Sequence, residues 1–208
     1  MRTLLTAALL AMTCAPAVAG KPVDRCAGNA SFAAFRDSLA RIVDERDAAR
    51  LLSIAAYDIE VDLGGGAGRA AFVEAWALGT PEESRIWSEM ETILRLGCTM
   101  EGRSASIPSL FDEATEDERD PYTSLLAIEP GGAVHAGPDD ASPVVARLDW
   151  DVLRLLDWNG AGEWIPVALA DGRRGHVRRE HVRSPIDYRA AFERRDGTWR
   201  MTMFLAGD

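Results

Sequence analysis

The sequence has few of the short motifs that announce covalent, nucleotide or metal chemistry. It contains no Gly-x-Ser-x-Gly elbow and no His-Glu-x-x-His helix, so serine-hydrolase and zinc-protease readings have no starting point. Gly64-Gly65-Gly66-Ala67-Gly68-Arg69 is glycine-rich but lacks the Gly-Lys-Ser/Thr ending of a P-loop and any dinucleotide fingerprint. That leaves a turn into a helix, with Arg69 at the helix start as a weak anion holder. Histidine and cysteine are scarce, with three of each in 208 residues. His135, His176 and His181 lie far along the chain from Cys26 and Cys98, which argues against a cysteine–histidine nucleophile pair. His176, Glu180 and His181 make a poor metal set, because a five-residue separation in a β-rich region does not put both rings on one face. Asp112, Glu113, Glu116, Asp117, Glu118 and Asp120 form an acidic stretch without the ordered spacing and central glycine of a calcium loop, and read as a solvated linker. Glu60 with Asp62, or Glu89 with Glu91, do not stand out as acid–base pairs in so acidic a chain. No cofactor and no metal are expected.

Positive charge is also in deficit: 23 Lys and Arg face 33 Asp and Glu, a formal net charge of −10. A surface of that sign repels phosphate backbones and anionic lipid, which excludes nucleic acid as a partner. Long apolar runs are missing beyond the N-terminus. There, Arg2 supplies a short positive region, Leu4 to Met12 an apolar one, and Ala17-Val18-Ala19 a small-x-small cleavage pattern. This reads as a secretory leader with a mature start at Gly20. A membrane anchor needs about 20 apolar residues, and a lipoprotein signal on Cys14 wants a smaller residue than Thr13 before it. A periplasmic or secreted protein with no stable membrane insertion follows.

Loss of the leader leaves Cys26 and Cys98. An even pair in an oxidising compartment suggests one disulfide closing a loop of about 72 residues, worth ~4 kcal/mol in the chain-entropy picture. The alternative is two buried free thiols.

What is present reads as two textures. Residues 29 to 56 carry Phe32, Phe35, Leu39, Ile42 and Val43 on one helical face, with Asn29 or Ser31 as cap and a falter at Arg46-Asp47 that allows one helix or two. Ile59, Val61 and Leu63 alternate as a short strand; Arg69 to Ala77 is a helix. Thr80-Pro81-Glu82-Glu83 has the form of a capping box opening a helix that ends near Gly97 and bears Ile86, Trp87, Met90, Ile93 and Leu94 on one stripe. From Thr99 to Asp120 periodicity is lost. From Leu125 on, short β-like runs alternate with Gly, Pro and Asp. A hairpin closes the chain: Tyr188, Ala190 and Phe192, then the Asp196-Gly197 turn, then Trp199, Met201, Met203 and Leu205. A lone hairpin is marginal, so it is expected to return to the N-terminal half.

Residues 131 to 182 resemble the bacterial SH3 (SH3b) domain family. The resemblance rests on Val134-His135-Ala136-Gly137-Pro138, Ser142 to Leu148, Val152 to Leu156, Gly162-Glu163-Trp164-Ile165-Pro166-Val167 and Asp171-Gly172-Arg173-Arg174-Gly175-His176-Val177, in that order. His135 and His176 stand where the family often has Arg and an aromatic, and Pro166 interrupts a strand. The resemblance implies an α+β chain: a helical N-terminal domain, completed by the C-terminal hairpin, plus a small all-β SH3-like barrel. The expected segments are a leader (1–19), a helical domain (20–124), the barrel (125–185) and the hairpin (186–208). The resemblance also implies a non-enzymatic binding or scaffold protein of the cell envelope, holding a peptide, a peptidoglycan component or a protein partner. Trp150, Trp158, Trp164 and His176 are then the binding residues, although the tryptophans equally suit barrel packing. The N-terminal half is faintly similar to NTF2-like (cystatin-like) domains. That similarity implies the alternative, a small-ligand or enzymatic pocket lined by Tyr57, Trp76 and Trp87.

Overall fold

Asn29 begins the first helix by accepting a hydrogen bond from the Phe32 amide, and α1 runs Ala30–Asp44. The structure, a computed structural model, describes residues 20–116, 119–157 and 162–207; the proposed leader and Trp158 lie outside them. Arg46 adopts φ 50° and breaks the helix, and Asp47 caps the second, α2 (Ala48–Ile54), through the Arg50 amide. β1 (Ala55–Glu60), α3 (Arg69–Ala75) and α4 (Ile86–Leu94) follow.

The capping box at Thr80 does not form. Pro81–Glu83 is a single 3-10 turn, Thr80 Oγ1 donates back to the Ala77 carbonyl, and Ser84 donates to the Trp76 carbonyl before α4 starts at Ile86. The stretch without periodicity holds real elements: β2 (Thr99–Glu101), β3 (Ser104–Ile107) and α5 (Leu110–Glu116). The β-rich part supplies β4 (Ser124–Ala127), β5 (Ala133–His135), β6 (Val144–Arg147), β7 (Val152–Leu155), β8 (Trp164–Ala168), β9 (Arg174–Arg178) and β10 (Val182–Arg183). The hairpin strands are β11 (Arg189–Arg195) and β12 (Thr198–Leu205).

Two large sheets result. The first has five strands in the order β1-β12-β11-β3-β2; β1 and β12 are parallel and its other pairs antiparallel. Asp196 and Gly197 both take positive φ, the type I′ geometry that suits a twisted hairpin. A bulge shifts the register between Ala191 and Phe192, so the buried side of β12 passes from Trp199 and Met201 to Phe204. The helices cover this sheet, and Phe32, Phe72, Trp76, Trp87, Phe192 and Phe204 lie in one buried cluster with the disulfide cysteines. Phe32 meets Trp199 edge to face at 4.8 Å, and Trp199 Nε1 donates to Ser31 Oγ at 3.0 Å.

The second sheet has seven strands in the order β10-β4-β7-β8-β9-β5-β6, all antiparallel. This overturns the SH3 reading. Closure into a barrel requires the two terminal strands to bond to each other. Among the described residues β6 and β10 each pair with one neighbour, β5 and β4. The physical reason is that β4 adds outside β7 and β10 adds outside β4, so the sheet grows at one edge instead of curling back. The expected α+β arrangement of a helical domain plus a small all-β barrel therefore gives way to a mixed helix-and-sheet chain built on two large open sheets.

The sheets meet at a joint with three parts. Leu96, Leu110 and Leu126 pack together with Ile128 and Trp150. Residues 20–26 form a strap across the joint: Gly20 N donates to the Trp150 carbonyl at 2.6 Å, Cys98 N to the Val23 carbonyl at 3.0 Å and Arg25 N to the Cys98 carbonyl at 2.7 Å. Val23 N also donates to Glu113 Oε1 at 2.8 Å. The strap ends at the Cys26–Cys98 disulfide, with Cα atoms 5.7 Å apart. The third part is the ion pair of Arg183 with Glu89 at 3.2 Å.

Candidate functional site

Of the residues expected to bind, Trp164 and His176 share a face of the second sheet and Trp150 does not. Trp164 sits on the face of the second sheet opposite the buried Val134, Ile165 and Val177. Its ring is already partnered, with the Arg178 guanidinium 4.8 Å over the centroid and the His135 ring edge-on at 5.3 Å. Arg178 is held in turn by Asp140 and Glu163. The Asp140 bond raises the guanidinium above its ordinary range and lowers the Asp140 carboxyl below its own. His176 lies on the same face, opposite Pro166 on one side and His135 on the other, and its Nδ1 is buried without a hydrogen bond among the described residues. Trp150 is elsewhere, half-buried in the joint at φ 60°. An aromatic groove built from Trp150, Trp164 and His176 is absent among the described residues, and Trp158 falls outside them.

The residues named for the alternative pocket are divided between core and surface. Trp76 and Trp87 are 6% and 3% exposed; Trp76 packs on Tyr188 and Phe204 at 4.8 and 4.7 Å, and Trp87 Nε1 donates to the Pro81 carbonyl. Tyr57 points away, 79% exposed. Arg69 spends its guanidinium on the Ala55 carbonyl, at 2.7 and 3.1 Å. His181 pairs with Glu129 at 3.0 Å. Among the described residues, Asp24, Cys26 and Cys98 bring three ligand atoms together, one carboxylate oxygen and two sulfurs. The two sulfurs are bonded to each other, and the Asp24 carboxylate accepts from Arg36 at 2.7 Å and from the Cys26 amide at 3.0 Å. That pairing with Arg36 lowers the Asp24 pKa and leaves the cluster no open ligand set for a metal.

A concavity that the sequence does not announce lies between α4 and the β10 edge of the second sheet. It encloses about 750 Å³, within the range of small-molecule sites. Its apolar wall is Leu125, Ile128, Leu155, Ile165, Val182 and Ile186; α4 contributes Arg85, Ser88, Glu89 and Thr92; Tyr122 and Tyr188 stand at its sides. Formal charges balance, with Arg85, Arg179 and Arg183 against Glu89, Glu180 and Asp187. Arg183 is the deepest of them, its side chain 7% exposed. It is bonded to Glu89 at 3.2 Å and to the Tyr188 carbonyl at 2.9 Å, with Asp187 3.8 Å away. Its Nε is buried and donates to nothing among the described residues. A buried donor without a partner costs about 1–3 kcal/mol, but this one is covered by its neighbours and does not open on the cleft. Sequence reading treated Glu89 as solvated charge and did not weigh Arg183. The two are 94 positions apart, and neither carries a local signal of the other.

No protein family matches the chain, and no curated protein does. Among solved structures it is similar to an NTF2-like protein with a cystatin-like fold from Novosphingobium aromaticivorans. The identity is 15%, over 84% of this chain and 79% of that one, and the TM-score is 0.30. A likeness at that score carries no argument. Among the described residues no helix is long and apolar enough to cross a membrane.

Proposed function

We propose that this is a ligand-binding protein whose site is the cleft between α4 and the second sheet, and that its ligand is a neutral, largely apolar small molecule. The observation that carries this reading is a cavity of about 750 Å³ with an apolar wall of Leu125, Ile128, Leu155, Ile165, Val182 and Ile186 and with charged lining residues that balance. The balanced charges of the lining disfavour a net ionic ligand, because any added charge would meet one repelling neighbour for each attracting one. Binding, rather than covalent chemistry, is favoured by the cysteines being joined to each other. It is favoured too by the cleft acids Glu89 and Asp187 being engaged by Arg183.

Nile red, an uncharged apolar dye with a ring carbonyl, tests this directly. Saturable one-to-one binding with a blue-shifted emission is expected. Leu155→Arg and Ile128→Arg each place a charge in the apolar wall and are expected to weaken binding at least tenfold. Tyr57→Arg, on an exposed residue remote from the cleft wall, is expected to leave it unchanged. Dye binding that is non-saturable, or indifferent to both cleft variants while their folding is intact, would refute the site.

A further inference from the structure

The residue that follows the expected leader is seated in the fold. Gly20 is buried, and its nitrogen donates to the Trp150 carbonyl at 2.6 Å. A side chain there would be crowded: a Cβ would lie 3.0 Å from Val152 Cγ2, 3.1 Å from the Trp150 carbonyl oxygen and 3.3 Å from Leu126 Cδ2. The neighbouring Lys21 is exposed. Gly20 is also the residue that follows the small-x-small pattern Ala17-Val18-Ala19 at the end of the apolar N-terminal run. From Gly20 the strap leads directly to the Cys26–Cys98 disulfide, a bond that persists in oxidising compartments.

We propose that the Ala19–Gly20 bond is a proteolytic processing site used on export, and that the Gly20 amine it frees is an anchor seated on the Trp150 carbonyl. A leader peptidase would add one water across this bond: the hydroxyl goes to the Ala19 carbonyl carbon, the C–N bond breaks, and the proton goes to the departing Gly20 nitrogen. The new α-amine then donates a hydrogen bond to the carbonyl in place of the amide, charge-assisted when the amine is protonated. Asp149 and Asp151 flank Trp150 in the chain and give the turn a sign that suits an ammonium. The anchor holds the strap at the second sheet and the disulfide holds it at the first, so processing and oxidation together complete the joint.

Two measurements on the full-length gene product test this. Expressed in an export-competent Gram-negative host, the protein recovered from the periplasm is expected to have the intact mass of residues 20–208 less two hydrogens, and Edman sequencing is expected to begin Gly-Lys-Pro. A retained leader, or a terminus at another residue, overturns the processing site. The second measurement uses the composition of the chain, in which Lys21 is the single lysine, so the processed protein has two amines. At pH 7 a free α-amine holds on the order of a hundredfold more unprotonated base than a lysine, and limiting acetic anhydride modifies it first. A seated Gly20 amine reverses that order, with Lys21 acetylated first in the native protein and Gly20 first after unfolding in urea. Gly20 modified first in the native protein overturns the anchor.

Discussion

Gly97→Ala is the sharpest probe of the joint. Gly97 follows α4 at φ 76°, where any other residue costs about 1–2 kcal/mol. The larger part of the penalty is local crowding. A Cβ at this position would lie 2.6 Å from the Val23 carbonyl oxygen and 3.0 Å from the Val23 nitrogen, and would overlap Ser109 Oγ. Ser109 can rotate, but Val23 is backbone, and both of its polar groups are in use: its carbonyl accepts from Cys98 N and its amide donates to Glu113. Displacing it weakens two hydrogen bonds worth about 1 kcal/mol each. The sum is about 3–4 kcal/mol, a fall in Tm of about 10 °C for a chain of this size. Gly102 supplies the control. It too has positive φ, 59°, but a Cβ there meets nothing within 4 Å among the described residues. Gly102→Ala should therefore show the conformational cost alone, about 1 kcal/mol and ~3 °C. The assay is urea denaturation with calorimetry on both variants. Equal destabilisation by the two, within ~1 kcal/mol, would show that the strap does not press on the end of α4 and would refute the joint as described.

Replacing both Cys26 and Cys98 with Ala should lower stability by ~4 kcal/mol, the loop-closure value for the sequence separation of 72; a change under ~1 kcal/mol in the urea midpoint would mean the unfolded chain is already restrained. Acid should destabilise the protein with a definite sign. The Arg36 guanidinium bonded to Asp24, the Arg178 guanidinium bonded to Asp140, and the Arg173 amide and guanidinium on Asp171 lower these three carboxyls from an ordinary value of 3.8. Groups depressed in the folded state lend their stability in full above that value and lose it as pH falls through the lowered ones. The urea midpoint should accordingly show their contribution as a decline setting in below about pH 4. Asp24→Asn should start lower at neutral pH but decline less steeply, and an unchanged acid slope would count against the Arg36 pairing.

Local chemistry was legible in the sequence where the structure is local. The falter at Arg46-Asp47 is a left-handed residue followed by a capping aspartate, and Asp196-Gly197 is a two-residue turn between β11 and β12. The β2–β3 hairpin went unread because Thr99-Met100-Glu101 and Ser104-Ala105-Ser106 carry too few large apolar residues to show a period of two. Gly102, at positive φ between them, was the available signal. The hairpin's alternation led to Met203 as an inward residue, but the bulge beside Phe192 puts Phe204 there instead. The SH3 resemblance failed for a related reason. Its pieces are turns and adjacent strand pairs, and Asp171-Gly172 does join β8 to β9. Barrel closure is decided by which strands occupy the two edges, and no turn motif encodes that. Glu89 and Arg183 likewise meet only because α4 and β10 are brought together by the joint.

That dependence bears on how the cleft would bind. A site between two bodies ordinarily loses affinity to the work of closing it. Here both walls are fixed before any ligand arrives. α4 is pinned at its C-terminal end by the strap and the Leu96 cluster, and along its length by Glu89 on Arg183. β10 is pinned by its pairing with β4 and by the same Arg183. The arginine is committed to the joint: four contacts, two to Glu89, one to the Tyr188 carbonyl and one to Asp187, hold it between α4 and β10. A ligand therefore meets walls that need no ordering on its arrival, and its affinity follows from the apolar area it covers and its fit to the cleft. Selectivity then rests on shape and on the balanced charges of the lining, rather than on any exposed aromatic.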